Sequence, residues 1–340
     1  MVTYEDILKW ADKNFPHVGV DIYKYLALQP ASLLMPPIPS RESFIRPQMN
    51  FLILGPPGIF KSTFCRAYAS LLPKEFNPIN LKRITAAELQ DSLEGLPHAS
   101  LIVDDFARMS KDMALVKVLE GLIEEGEVND QTKKTSYQYK IKVTGTFMGV
   151  PEDLHSNLTS GFLGRVTAHM LTLKEDEQEE IGEHLSACFG NISGSEKRDD
   201  IHAFYQKLFD LQKSKETQIT GYVLDDSVRD LILAAWKDVR DKLKNGQNSD
   251  HWFREIGEGI RFTCASAMLN RATRELTSSP GGGLLIKPND ADVILGTKLM
   301  KICIANKYYI FQWKQFEEKR RRSKLIQQQS KKIRSFEEGL

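Results

Sequence analysis

NFLILGPPGIFKSTFCRAYASLL, residues 50–72, carries three signals in succession. Phe51 to Leu54 is a continuous apolar run of the kind a strand covered on both faces requires, and a Gly/Pro turn closes it. From Ser62 to Leu72, the residues Phe64, Ala67, Tyr68, Leu71 and Leu72 recur at helical spacing on one face. Strand, glycine turn and helix in that order open a βα unit. The turn, Gly55-Pro56-Pro57-Gly58-Ile59-Phe60-Lys61-Ser62, fits G-x-x-x-x-G-K-[ST] at every position except Phe60. In such a loop the backbone N–H groups cradle phosphate, the lysine reaches the β- and γ-phosphates, and the following hydroxyl ligates Mg²⁺. Gly55 to Thr63 are therefore the expected nucleotide-binding residues, with Lys61 as the phosphate charge, Ser62 as a metal ligand, and ATP and Mg²⁺ as cofactors.

A second buried strand is expected in ASLIVDD, residues 99–105. Its closing acids fit the other half of a nucleotide site: Asp104 to hold Mg²⁺ and Asp105 to polarise the attacking water. Asp105 is one methylene shorter than a glutamate, and a misplacement of about 1 Å can cost ~10²-fold in rate. Downstream, a helix is expected over 113–125, with Glu120 and Glu124 as alternative bases. Residues 127–149 read as a hairpin with its tip near Thr132–Thr135, and 158–173 as a short helix followed by a short strand. From Glu175 to the tail the period reads as helical, interrupted by expected loops at 190–200, 244–250 and 278–283, and Leu224, Val228, Leu231, Ile232, Ala235, Trp236 and Val239 are expected to form the buried stripe of one of its helices. Upstream, 4–15 reads as a helix and PASLLMPPIPSRES, 30–43, as a proline-rich connection.

The chain's 340 residues, 41% hydrophobic and 27% charged, suit a soluble globular protein of two domains with appendages. No apolar run reaches the ~18 residues of a membrane span, and MVTYEDILKWADKNFPHVGV lacks the apolar core of a signal peptide. An intracellular protein is expected, cytoplasmic, or nuclear in a eukaryotic host. Cys65, Cys188, Cys264 and Cys303 show no CxxC spacing and are expected as free thiols, and the histidines show no ligand spacing. From Asn306 to Leu340 ten Lys/Arg stand against four Glu, a net of +6, which leaves the other 305 residues at −5. The tail fits DNA binding, a disordered end, or a helix docking on a partner.

With both motifs placed, the chain resembles the AAA+ ATPases, and within them the ATPase core of the minichromosome maintenance (MCM) helicases. The MCM phosphate loop has the form G-D-P-G-x-A-K-S, so a non-glycine before the lysine, here Phe60, is normal there. The segment LEGLIEEGEVNDQTKKTSYQYKIKVTGTFMGVP resembles the one that builds the family's presensor-1 hairpin, whose tip lysine contacts DNA; Lys133 and Lys134 fall there. FLGRVT, 162–167, is similar to L-L-S-R-F-D, which implies that Arg165 is a finger acting on a neighbouring subunit's ATP. YVLDDSVRDLILAAWKDVR with FREIGEGIRFTCASAML resembles the helical lid and places Arg254 on the sensor-2 arginine. The sensor-1 asparagine is replaced by Val150, with Thr144 or Thr146 as substitutes, and the family's N-terminal DNA- and zinc-binding region is expected to be absent.

The resemblance implies an α/β P-loop NTPase with a parallel sheet (46–175), preceded by an N-terminal helical extension and linker (1–45). A small all-α lid (176–305) and a basic tail (306–340) follow. It implies a hexameric ring or arc working as a DNA helicase or translocase, with a replication or host-factor partner for the tail. The alternatives are an AAA+ protein remodeller or loader, and a catalytically weak nucleotide-binding scaffold.

Overall fold

A computed structural model of the chain describes residues 2–15, 20–39, 44–58, 61–82, 84–131, 136–154, 160–171, 195–243 and 254–310. The phosphate-loop residues Ile59 and Phe60, the hairpin tip with Lys133 and Lys134, and the tail from 311 lie outside them, as does Cys188. Helix α1 (Tyr4–Asn14) starts at Thr3, which forms a capping box with Asp6. α2 (Val20–Leu34) follows, then a short antiparallel pair, β1 (Ile38–Pro39) and β2 (Phe44–Ile45). The core begins with β3 (Phe51–Leu54) and α3 (Lys61–Ala69), then β4 (Pro78–Leu81), α4 (Ala86–Leu93) and β5 (His98–Val103). α5 (Phe106–Met109) and α6 (Met113–Glu124) lead to a hairpin, β6 (Glu127–Gln131) and β7 (Ser136–Lys140), and on to β8 (Lys142–Gly149). α7 (Ser160–Arg165) and β9 (Thr167–Met170) close the core.

Five strands form one parallel sheet in the order β4-β5-β8-β3-β9. β3 is thus an interior strand between β8 and β9, and the chain leaves it for strands on one side and returns to β9 on the other. Ligands of open α/β sheets bind at such a reversal, outside the carboxyl ends of the strands. The apolar run of β3 is buried at all four positions, as a strand covered on both faces must be.

One face is covered by α4, α5, α6 and α7, whose Phe106 and Phe162 stack with Phe147 of β8 at 4.9–5.4 Å. The other face is covered by α2 and α3 together with the C-terminal half of the chain. That half comprises α8 (Ser195–Lys213), β10 (Ile219–Tyr222), α9 (Asp226–Leu243), α10 (Arg254–Leu269), β11 (Glu275–Ser278), β12 (Leu284–Lys287) and a final helix, α11, over 290–310. None of the helices among the described residues is long and apolar enough to cross a membrane.

Four expectations need correction. Residues 30–34 belong to α2, which contains Pro30 in its interior. An interior proline costs a helix one backbone hydrogen bond and ~3 kcal/mol, but the packing of α2 outweighs that cost, with Tyr23, Tyr25, Leu26, Ala27, Leu28, Ala31 and Leu33 at 2% exposure or less. Second, the C-terminal half is not all helical: β10, β12 and β11 form a three-stranded sheet, β10 parallel and β11 antiparallel to β12. Third, residues 195–200, expected in a loop, begin α8, and Leu231, expected in the buried stripe of α9, is 54% exposed. Fourth, residues 306–310 belong to α11 rather than to a free tail. Lys307 is buried and its Nζ lies 2.5 Å from Oε1 of buried Glu255. Burial works to lower the Lys307 pKa, but Glu255, Cys303 and Glu258 outweigh it and hold the ammonium above its ordinary value.

The N-terminal helices are part of the core rather than an appendage to it. Tyr23 packs its ring 5.1 Å from Phe64 of α3, and the Tyr25 hydroxyl donates to Leu299 O of α11 at 2.7 Å. Cys65, Cys264 and Cys303 are free and buried, as expected.

Candidate functional site

A cleft of about 830 Å³ opens at the carboxyl ends of β3, β5 and β8. Gly58, Lys61, Ser62 and Thr63 line one wall, Asp104 and Asp105 another, with Met148, Gly149 and Val150 between. The local chemistry explains each placement. Gly58 has φ +87°, a left-handed conformation open to glycine at no steric cost, and it turns the chain out of β3. α3 begins at Lys61, so its unpaired N-terminal N–H groups and positive dipole end face the cleft.

The Lys61 side chain is 8% exposed and folds back over its own loop, where Nζ donates to Gly55 O at 2.8 Å and Pro56 O at 2.6 Å. Burial lowers its pKa below the ordinary lysine value, while Cys65, Asp104 and Glu152 act in the opposite direction. The Ser62 hydroxyl donates to Asp104 Oδ1 at 2.5 Å. β5 delivers Asp104 to this point because its N–H is fixed to Leu81 O at 2.8 Å. A serine oxygen and a carboxylate side by side, facing a phosphate loop, suit Mg²⁺, which takes one or two protein ligands and completes its shell with water and phosphate. Among the described residues, no group of three or more His, Cys, Asp or Glu side chains is arranged to hold a metal by itself.

Asp105 sits at φ 58°, ψ 30°, ahead of α5. Asp and Asn enter this left-handed region far more readily than other non-glycine residues. The backbone conformation thus suits an aspartate at this position. Its Oδ2 lies 3.5 Å from Arg108 Nη1, and Arg108 Nε lies 3.3 Å from Asp153 Oδ2. Gly149 permits this arrangement, because a Cβ there would lie 2.4 Å from Ala107 Cβ.

The loop lysine has other cations beside it. Arg66 and Lys82 also line the cleft. Arg66, one turn after Ser62, donates its Nε to Ser62 O at 3.0 Å. Lys82 follows β4, and the pairing of β4 with β5 brings it beside Asp104. No spacing in the sequence announces Lys82 or Arg108, since the first depends on strand register and the second on the α5 turn.

Thr144 and Thr146 do not replace the missing polar residue at the end of β8. Both are buried in mid-strand, on the α2 face, where Thr144 pairs with Ser100 Oγ at 3.2 Å and Thr146 Oγ1 donates to Gln29 Oε1 at 3.1 Å. Val150 closes the strand with an apolar side chain.

Arg165 and Arg254 lie away from this cleft. Arg165 ends α7, two residues before Thr167, which pairs with Phe51 at the start of β3. The phosphate loop leaves the other end of β3, about 10 Å further along at ~3.3 Å per residue. Both arginines instead meet Glu124 at the end of α6, Arg165 by a direct Nη2–Oε2 hydrogen bond and Arg254 with Nη2 3.7 Å from Oε1. Glu124 is thereby placed at the opposite end of the sheet from the loop, away from the cleft. Lys133 and Lys134, between the paired Gln131 and Ser136, lie outside the described residues. Compared with protein-family models and with curated proteins, the chain matches none.

Proposed function

We propose that the chain is a Mg²⁺-dependent ATPase of the AAA+ type that assembles as a ring and moves DNA in the manner of an MCM helicase. One observation carries the catalytic part: Lys61, the Ser62–Asp104 pair and Asp105 converge on one cleft at the mouth of β3. In this reading Lys61 leaves the loop carbonyls for the phosphate oxygens. Ser62 and Asp104 hold Mg²⁺, which when bound neutralises charge on the β- and γ-phosphates. Asp105, braced by Arg108, accepts a proton from the attacking water as the γ-phosphorus–oxygen bond to the β-phosphate breaks. The position of Arg165 and Arg254 at the far end of the sheet supports action on a neighbour's nucleotide rather than their own. The second reading, a nucleotide-operated scaffold with little turnover, is favoured by Val150 where a polar side chain would orient the water. Phosphate release measured with and without single- and double-stranded DNA separates the two: turnover stimulated by DNA supports the first, nucleotide binding without turnover the second.

Asp105→Asn is the sharper test of the base. Asparagine accepts the left-handed backbone, whereas alanine adds a penalty of about 1–2 kcal/mol. Nucleotide affinity is expected to stay within about threefold while turnover falls ~10²–10⁴-fold, the usual contribution of a positioned general base. Unchanged turnover in a variant that binds normally moves the base elsewhere.

For DNA, replacing both Lys133 and Lys134 with alanine is expected to weaken binding similarly for all sequences. The slope of log affinity against log salt should shrink by roughly 0.7–0.9 for each lost phosphate contact. Basal ATPase should survive. The control for the basic tail is truncation after Ile310, not after Ala305. The shorter chain loses Lys307 and strands Glu255 as a buried charge, a loss of about 3–5 kcal/mol. If the truncation abolishes DNA binding and the double alanine variant leaves it intact, the tail is the DNA contact.

A further inference from the structure

Three elements from both halves of the chain build one small cluster at the end of the sheet opposite the phosphate loop. α6 contributes Glu124, α7 contributes Gly164 and Arg165, and α10 contributes Arg254 at its first position. The ends of these elements are fixed. Arg46 donates from Nη1 to Leu122 O at 3.0 Å, which secures the last turn of α6, and Gly126, at φ +66°, ends that helix where a Cβ would strike Arg46 and Ile141 O. Arg261 of α10 donates its Nε to Arg46 O at 2.6 Å and its Nη1 to Glu258 Oε1 at 2.6 Å, which fixes α10 against the same corner. Gly164 lies against Arg254, whose Nη1 is within ordinary contact distance, 3.6 Å, of a Cβ placed there.

Within this frame one carboxylate holds two guanidinium groups, and it does not satisfy both fully. Arg165 Nε is buried without a hydrogen-bond partner. Arg254 is held at 3.7 Å and its side chain is 53% exposed. The cluster carries a net charge of +1, at the N-terminal, positive end of α10. Two forks gathered around one anion, with donor capacity left over, suit an anion with more oxygens than a carboxylate has, and a terminal phosphate has three.

We infer that Glu124 is a positioning residue and placeholder: in the isolated chain it gathers Arg165 and Arg254 around its own carboxylate, and it yields them to the terminal phosphate of a nucleotide bound to a second copy of this chain. The inference rests on the proposed reading that the arginines act between subunits. A carboxylate and a phosphate cannot share the two arginines without like-charge repulsion, so Glu124 sets how readily they engage. Neutralising it raises the cluster to +2 while leaving both arginines in place. The half-exposed setting of the pair keeps the expected effect modest.

The test uses two full-length chains that complement each other. Arg165→Ala supplies an intact phosphate loop, and Lys61→Ala supplies intact arginines. ATPase activity is measured as the second is titrated into the first, with and without Glu124→Gln in the Lys61→Ala chain. The Gln substitution is expected to lower the half-maximal concentration about 3- to 10-fold and leave the plateau rate within about twofold, since the same arginines act once seated. Glu124→Asp, which keeps the charge, is expected to stay near the parental curve. A merely structural role predicts instead a lower plateau and a lower unfolding temperature for the Gln chain. An unchanged or raised half-maximal concentration, with recovery by the parental chain intact, overturns the inference alone. No recovery with any of the chains overturns the action between subunits, and the inference with it.

Discussion

A chain carrying Lys61→Ala is expected to bind a nucleoside triphosphate about 30- to 5,000-fold more weakly, the equivalent of ~2–5 kcal/mol for removing one partner of a desolvated charge pair. The size of the effect follows from where the ammonium sits. It is 8% exposed and already fixed over the loop by Gly55 O and Pro56 O, so little side-chain freedom remains to be lost on binding. Arg66 and Lys82 line the same cleft, but both are exposed and neither sits inside the loop. Alanine at either is expected to lower affinity by less than about fivefold, in line with exposed ion pairs. Those two variants thus separate the effect of the loop lysine from a general loss of positive charge. Stability without nucleotide should be nearly unchanged, because water can satisfy the two loop carbonyls. Titration calorimetry with ATP and Mg²⁺ decides the matter: Lys61→Ala binding within threefold of the parent removes the phosphate-loop assignment.

How much of this site the sequence announces depends on whether its geometry is local. β3, its turn and α3 form one contiguous stretch, and apolar run, glycine turn and helical spacing each report on neighbours in sequence. Asp104 and Asp105 are legible for the same reason, being the end of an apolar strand. What the sequence conceals is set by distant pairing or by burial. β10 pairs with β12 some 60 residues later, and four-residue strands embedded in a helical pattern carry no periodicity of their own. Pro30 reads locally as a breaker, and no local feature shows that the packing of α2 against the sheet and α10 outweighs its cost. Thr144 and Thr146 are suitable by composition, but strand alternation turns them with Met148 toward α2, short of the cleft edge. Arg165 and Arg254 are identifiable one by one; that a single carboxylate 41 residues before the first gathers both is a property of three packed helix ends.

Arg165→Ala is expected to lower turnover by ~10³–10⁵, the range found when a finger arginine is removed from related phosphoryl transfers. A loss on that scale from a residue remote from its own chain's phosphate loop requires a second subunit to bring it to the nucleotide. The chain's own cleft lies at the carboxyl ends of β3 and β5, whereas Arg165 precedes the amino end of β9. Nothing short of unfolding the sheet lets one chain supply both. Nucleotide affinity should therefore change little in Arg165→Ala, in contrast to Lys61→Ala, where affinity is lost at the loop. Equal mixtures of the two inactive chains then follow from geometry alone. In a closed ring, some interfaces pair an intact loop from one chain with an intact arginine from the next, and those interfaces should hydrolyse. Random mixing places such a pair at about one interface in four, so recovery approaching a quarter of parental activity is the expected ceiling when interfaces fire independently. Tight coupling around the ring lowers that figure. Sedimentation velocity on the same mixtures supplies the second half of the test, because activity should appear only in fractions larger than one subunit. Full activity of Arg165→Ala, or parental activity in a sample that sediments as a single chain, removes Arg165 from the reaction and the ring from the mechanism.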